Sequence, residues 1–393
     1  MGAPNSAREN LSRLEARGDK MSGKIVVGIM STRREGAGLP FSEGLYFRQL
    51  IKAAASIAVR AFVFCPLDVE WRARTVWGYT HNPSLGGWSH QRFPLPDVVY
   101  DRLFPPRGHM ANILFAAARR LRRQRGVVFF GRALRGKWEV YRSVRRFADL
   151  SPHVPDTRRL SSPAVLRHML TTHRYVFVKP DMGSQGKGVM QVRVTDSGLS
   201  CRGRDSANRP FATTAHSAAE VLALAKSRSQ RQRLLVQQGL HLNHFQSRTF
   251  DIRAVVQKDA AGKWAITGTA ARIGQRGSIT SNLHGGGRAM RTEALLRTAF
   301  PLQWESILAK VTTLCLSIPA ALDQELGRFG ELGLDLGVDR DGKVWLIEAN
   351  SKPGRKVFLR IRAKDLRRTS ILRPMQYCKY LAETRRGEHL CVI

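Results

Sequence analysis

The stretch Gly333-Leu-Asp-Leu-Gly-Val-Asp-Arg-Asp-Gly-Lys-Val-Trp-Leu-Ile-Glu-Ala-Asn-Ser-Lys-Pro-Gly354 decides how the rest of the chain is read. The Asp341-Gly342 step between two apolar runs is a hairpin signal, because a tight turn with Gly at positive φ matches the twist of paired strands. Asp335 then sits on the first strand, with Glu348 and Asn350 at the end of the second. Residues two apart on a strand share a face, so Glu348 and Asn350 point the same way, and pairing across the turn can bring Asp335 beside them. Two carboxylates and an amide oxygen suit a hard cation such as Mg2+, which keeps substrate phosphates in its shell. An ordinary surface hairpin is the alternative. Against it, Glu348 closes the apolar run Val344 to Ile347, where an unpaired carboxylate is costly.

Upstream, Val178-Lys-Pro-Asp-Met-Gly-Ser-Gln-Gly-Lys-Gly188 delivers Lys179 from a strand into a loop with glycines at 183, 186 and 188. Such glycines let backbone N–H groups approach phosphate oxygens closely. The order is G-x-x-G-x-G, and Lys187 is followed by Gly188, so this is neither a dinucleotide fingerprint nor a P-loop. A glycine-rich hairpin with a solvated lysine is the bland alternative. Between the two stretches lies Phe250-Asp-Ile-Arg-Ala-Val-Val256. Arg253 there could hold a phosphate or acyl-phosphate oxygen bidentately, or form a structural pair with Asp251 on the same face.

Outside these stretches the chain reads as two textures. Lys24 to Met30, Ala61 to Phe64 and Asp97 to Tyr100 are short apolar strands with a helical pattern through Tyr46, Leu50 and Ala54, which is an open α/β arrangement. A long irregular segment rich in Gly, Pro and Trp separates the last two, and Met110 to Gln124 reads as a helix. From about Leu134 strands alternate in an α+β pattern, after helices at Lys137 to Arg146 and ending near Thr172. The expected division is a lead at 1–22, an α/β domain at 23–133, an α+β domain at 134–375, and a tail at 376–393.

Composition narrows little. Lys plus Arg total 65 against 30 acids, a net charge of +35, and the chain has 393 residues, enough for two or three packed units. Such a field attracts polyanions, yet no recognised nucleic-acid motif accompanies it, so nucleic acid ranks behind an acidic polymer as a partner. The five cysteines, Cys65, Cys201, Cys315, Cys378 and Cys391, show no C-x-x-C spacing, which points away from zinc and disulfides and toward a reducing, cytoplasmic setting. Residues 1–22 lack the apolar core of a signal peptide, and no run of about 18 apolar residues predicts a membrane span. His241 and His244 have metal-site spacing without a third ligand and are read as surface or core histidines. Trp71, Trp77 and Trp88 are read as packing a long loop.

Taken in order, the lysine of Val-Lys-Pro, the glycine-rich loop, Asp-x-Arg and Asp…Glu-x-Asn followed by Pro-Gly resemble the ATP-grasp superfamily. Ser281-Asn-Leu-His-Gly-Gly-Gly287 looks like the matching segment of glutamate ligases. Along most of its length the chain is similar to the YheC/YheD group of endospore coat-associated ATP-grasp proteins, through Phe41-Ser-Glu-Gly44, Pro96-Asp-Val-Val-Tyr-Asp-Arg-Leu103 and Lys137-Trp-Glu-Val-Tyr141. The resemblance implies an α/β pre-ATP-grasp domain followed by an α+β ATP-grasp fold, with a glycine-rich lid subdomain at about 155–235. It implies ATP and Mg2+ as cofactors. Lys137 and Lys179 would contact the nucleotide, beneath a lid of Gly183, Ser184, Gly186, Lys187 and Gly188. Gln237, Gln238 and Gly239 would read the adenine edge. Asp335, Glu348 and Asn350 would hold magnesium, and Arg253 would steady the transferring phosphoryl group. Arg272 and Asn282 are expected to grip the acylphosphate, and Lys352 and Arg355 an acidic substrate. The implied reaction is carboxylate–amine ligation through an acylphosphate, acting on an unidentified carboxylate and amine. The alternatives are an ATP-grasp kinase and an ATP-binding structural component of a spore coat.

Overall fold

The computed structural model describes residues 24–34, 39, 41–82, 87–104, 108–183, 186–229, 232–276 and 287–390. The expected 1–22 lead, Ser184, Asn282 and Cys391 lie outside the described residues. The chain divides into two compact units: residues up to Phe130 together with those from Met375, and Gly131–Pro374.

In the first unit, strand β1 (Val26–Met30) runs parallel to β2 (Arg60–Phe64), joined through helix α1 (Gly44–Ala55). Parallel neighbours need such a crossover, and α1 buries Phe47, Leu50, Ile51 and Ala54. The segment expected to be irregular instead contains β3 (Val69–Glu70), β4 (Thr75–Asn82) and β5 (Gly87–Pro94), the last two an antiparallel pair. Aromatic packing stabilises it: Trp77 donates to Glu70 at 2.9 Å, and Trp88 meets Phe41 edge-on at 5.0 Å. Next come β6 (Val98–Asp101), helix α2 (His109–Arg122) and β7 (Val128–Phe130), which complete the sheet order β3-β4-β2-β1-β6-β7, with β5 on β4.

The second unit opens with helix α3 (Lys137–Arg145) and contains two sheets. The first is antiparallel, ordered β12-β11-β10-β9-β13-β8. Its strands are β8 (Thr157–Arg159), β9 (Tyr175–Pro180), β10 (Met190–Thr195), β11 (Gly198–Arg204), β12 (Pro210–Ala215) and β13 (Leu234–Gln238). Helices α4 (Pro163–His173) and α5 (Ala218–Arg228) bury Met169, Val221 and Leu222 against Val176, Val178, Val192 and Val236. By alternation, Tyr175, Phe177 and Lys179 fall on the opposite face of β9 from Val176 and Val178.

The second sheet, ordered β17-β16-β15-β18-β19 with β14 on β15, carries the quoted hairpin. It comprises β14 (His244–Phe245), β15 (Arg248–Lys258), β16 (Trp264–Ile273), β17 (Arg288–Met290), β18 (Glu331–Val338) and β19 (Val344–Asn350). Helices α6 (Thr292–Ala299) and α7 (Trp304–Leu326) pack Leu295, Ile307, Val311, Leu314 and Ile318 against Phe250, Ile252, Ala254, Leu334 and Leu336. By length and composition α7 is apolar enough to cross a membrane, but it is not an unbroken apolar run, and its apolar stripe is part of this core. Helix α8 (Lys356–Arg360) follows on the far side, where Val357 and Phe358 meet Val255 and Ala270.

The final helix, α9 (Lys364–Leu390), corrects the reading of 376–393 as a tail. Met375, Cys378, Leu381 and Ala382 recur at helical spacing and are buried, with Tyr377 edge-on to Phe130 at 5.3 Å. Arg385 donates to the Gly126 carbonyl, and Arg386 to Asp97 at 3.3 Å.

Candidate active site

A cavity of about 510 Å3 opens within the second unit, lined from both of its sheets. One wall is the polar-facing side of the first sheet, with Tyr175, Phe177, Lys179 and Gln191; another is the β18–β19 hairpin, with Asp335, Ile347 and Glu348. The size suits a small organic ligand.

Of the residues expected from sequence to bind phosphate, Lys137, Lys179, Gly183, Gly186 and Lys187 line this cavity. Lys137, the first residue of α3, donates to the Gly183 carbonyl at 2.8 Å and stands 3.5 Å from Glu348. Its placement is fixed by Asp181, whose carbonyl accepts from Lys137 N at 3.1 Å and whose carboxylate accepts from Trp138 N at 2.9 Å. That carboxylate satisfies an otherwise orphaned N–H of the first turn. Gly136, before the helix, has φ 154°, and a side chain there would strike Asp181 at 2.6 Å.

Lys179 is 7% exposed and donates to Gln237 at 2.7 Å, while Gln237 in turn donates to Thr157 at 2.8 Å. Burial, together with the neighbouring Lys137 charge and despite Glu348, lowers the Lys179 ammonium to a pKa of about 8. Two ammonium groups held close without an equal number of carboxylates favour an anion between them. Gly186 and Gly188 take φ 74° and 70°, and both Gly186 and Lys187 line the cavity. Just after β13, Gly239 donates to the Tyr175 carbonyl at 2.8 Å, and a Cβ on it would lie 2.3 Å from the Tyr175 ring. Glycine is therefore required for that ring to stay in the cavity wall.

The charged groups on the second sheet pair across strands rather than along them. Arg253 and Asp335 are register partners on β15 and β18, and Arg253 binds both Asp335 oxygens at 2.5 and 3.0 Å. Asp251 and Arg272 are partners on β15 and β16, and Arg272 forks onto both Asp251 oxygens at 2.6 Å each. A third contact, Arg272 to Asp335 at 3.0 Å, joins the pairs into one network. The structural pair considered from sequence, Asp251 with Arg253, is thus replaced by two cross-strand pairs. Burial pushes Asp335 up, but Arg253 and Arg272 outweigh it and hold the carboxyl below its usual range. For Arg272 burial favours loss of charge, while Asp251 and Asp335 more than offset it and keep the guanidinium charged.

Asp335 is also the register partner of Glu348 across the hairpin, and Asn350 is paired with Gly333 further along. Among the described residues no three His, Cys, Asp or Glu side chains cluster as a metal site. Two carboxylates and an amide are an incomplete shell, which phosphate oxygens would fill. That is how Mg2+ is commonly held beside a nucleotide, and the donor set fits it.

Other expected residues fall differently. Arg272, Asp335 and Glu348 line the cavity, whereas Arg253, paired with Asp335, is absent from the described lining. Arg355, expected to touch substrate, is corrected to a core residue. It is 7% exposed and donates to Glu331, to the Ser370 carbonyl at 3.0 Å and to the Pro353 carbonyl at 3.0 Å. Glu331 is wholly buried, and Arg355 neutralises it. Lys352 and Asn350 also lie outside the described lining. Residues that the sequence did not single out include Tyr175, Phe177, Gln191, Arg193 and Arg340; His241 and His244, expected to be surface or core histidines, line the cavity too. The two-residue spacing from Lys179 back to Phe177 and Tyr175 was the available signal.

The lysine pair, glycine-rich loop and carboxylate hairpin, set between two sheets of one unit, define an ATP-grasp architecture. Residues 126–381 match the family described as YheC/D like ATP-grasp. The endospore coat-associated protein YheD of Bacillus subtilis (strain 168) is 29% identical over 346 residues, covering 88% of this chain and 76% of that protein. YheC of the same organism is 27% identical over 360 residues, covering 91% and 96%. Among solved structures, the D-cycloserine synthetase DcsG shares the fold at TM-score 0.50 and 15% identity, covering 91% of this chain and 99% of that one. The chain belongs to the YheC/D-like ATP-grasp family.

Proposed function

We propose that the protein is an ATP- and magnesium-dependent ligase that joins a carboxylate to an amine through an acylphosphate. The observation that carries this reading is the convergence of Lys137, Lys179, Glu348, Asp335 and Arg272 on one cavity. Lys137 and Lys179 bind the ATP phosphates, and the glycine-rich loop, through Gly183, Gly186, Lys187 and Gly188, covers them and excludes water. Phe177, Val189 and Ile347 supply an apolar slot for adenine, whose edge is read by the Gln237–Gly239 hinge. Asp335, Glu348 and Asn350 hold magnesium, which when bound offsets charge on the phosphoryl oxygens.

The substrate carboxylate oxygen attacks the γ-phosphorus, the bond to the β-phosphate oxygen breaks, and ADP leaves. The amine nitrogen then attacks the acyl carbon, phosphate departs, and the amine gives up a proton. Arg272, fixed by Asp251, faces the reacting groups, and Arg253 acts as a positioning residue by holding Asp335. Asn282 and Lys352 remain candidates for the acylphosphate and acidic substrate.

The relatives' names as endospore coat-associated proteins favour a second reading, an ATP-binding coat component acting through its basic surface. The two separate on ADP and phosphate release, measured with Mg-ATP and a panel of amino acids and acidic peptides. Stimulation by one acid–amine pair, reduced about 100-fold or more by Glu348→Ala, is expected of the ligase. ATP binding without stimulation by any pair would favour the coat component.

A further inference from the structure

A second cavity, of about 460 Å3, lies in the same unit. It shares no lining residue with the ATP cavity, but adjacent residues serve the two: Lys137 and Pro180 face the first, Trp138 and Asp181 the second. Arginines reach it from four places, Arg135 before α3, Arg142 on α3 with Arg146 at its C-cap, Arg159 on β8 and Arg233 before β13. Arg142 and Arg146 are one turn apart and so share a helix face.

Three acids also line the groove, and each has a structural task. Glu139 accepts from the Arg135 backbone at 3.0 Å, Asp181 caps Trp138, and Glu325 pairs with Arg146 at 2.5 Å. Among the described residues no carboxylate stands within ion-pair distance of the Arg135, Arg142, Arg159 or Arg233 guanidinium. Five guanidiniums against three carboxylates leave the groove with an excess of positive charge, which favours an entering anion.

We propose that this groove binds an acidic peptide segment, a site additional to the ATP chemistry and independent of it. Guanidinium forks match carboxylates bidentately. The remaining lone pairs of Glu139, Asp181 and Glu325 call for donors, which a peptide backbone brings and a phosphodiester backbone does not. Trp138 is the groove's one described aromatic residue, and the Arg159 guanidinium lies 5.2 Å from its ring centre, leaving no row of faces for stacking bases.

The test uses the full chain and fluorescein-labelled octaglutamate, read by fluorescence anisotropy at about 0.15 M salt. Arg142→Glu with Arg233→Glu is expected to weaken binding about 10-fold or more. A matched reversal at the C-terminal end of α2, Arg119→Glu with the C-cap Arg123→Glu, is expected to weaken it by less than about 3-fold. ATP binding and melting temperature report whether the variants are folded. Should the double reversal fail to fold, Arg142→Gln with Arg233→Gln is expected to weaken binding about 3-fold while the matched glutamine pair on α2 leaves it unchanged. Equal losses in groove and α2 variants, or no binding of octaglutamate, would overturn the proposal. So would an oligo-dT probe that binds more tightly than octaglutamate and responds to the same groove variants.

Discussion

Two buried arginine–carboxylate groups lie in the same unit and differ in what surrounds them. Arg272, Asp251 and Asp335 line the cavity, with Arg253 paired to Asp335, whereas Arg355 with Glu331, Gln257 and the Ser370 carbonyl is enclosed by protein. Both arginines are under a tenth exposed. The enclosed group has its charges matched internally and needs nothing further. The cavity group presents a fixed, charged face to whatever enters, which is the preorganisation that transition-state stabilisation requires. Burial of an arginine therefore does not distinguish structure from function; the presence of open space beside it does.

This contrast can be broken most forcefully at Arg272. Arg272→Ala leaves Asp251 buried and uncompensated, which should cost about 3–5 kcal/mol of stability and remove ADP release as well. Denaturant unfolding and single-turnover assays check both effects; full turnover in a destabilised protein would break the distinction. Arg355→Ala should cost a similar amount, about 3–5 kcal/mol, yet leave the KM for ATP unchanged. Pairing Arg355→Met with Glu331→Leu should recover much of that loss, because a buried ion pair can be exchanged for packed apolar side chains.

A smaller effect is expected at the hinge. Gly239→Ala forces the Tyr175 ring from the cavity wall, costing about 1–3 kcal/mol of overpacking, seen as weaker ATP binding by calorimetry. Unchanged affinity would show that the ring position does not matter to the nucleotide. The smallest effect is a proton. With its folded pKa near 8, Lys179 is about half deprotonated at pH 8. Phosphate binding should raise that pKa, so ATP binding should take up roughly half a proton at pH 8, and affinity should fall as pH rises further. Without ATP, stability should rise between pH 8 and the ordinary lysine range, since only the unfolded chain then keeps the proton. Calorimetry in buffers of different ionisation enthalpy measures the uptake, and no buffer dependence would remove Lys179 from the phosphate site.

Much of the second sheet was legible in sequence because its signals are local. The Asp341-Gly342 turn carries φ 84° at Gly342, and alternation placed Glu348 opposite Asp335. The ion-pair partners were less legible because they depend on register between distant segments. Asp251 and Arg253 are two residues apart, roughly 6.6 Å along the strand, while a residue directly across an antiparallel pair is about 4.5–5.5 Å away. Cross-strand neighbours therefore won. Helix α7 and the β4–β5 hairpin escaped notice for other reasons. Pro319 interrupts the helical pattern of α7, and Gly78, which accommodates the Phe62 ring, makes β4 look like a loop.

In the proposed reaction the cavity activates a carboxylate by phosphorylating it. Hydroxylamine trapping tests it most directly, because an acylphosphate reacts with hydroxylamine to give a hydroxamate and release phosphate. With Mg-ATP and a stimulating acid, the account predicts hydroxamate formed in step with ADP, and neither product with Glu348→Ala. ADP formed without hydroxamate, accompanied by a stable phosphoester on a hydroxyl-bearing substrate, would contradict it.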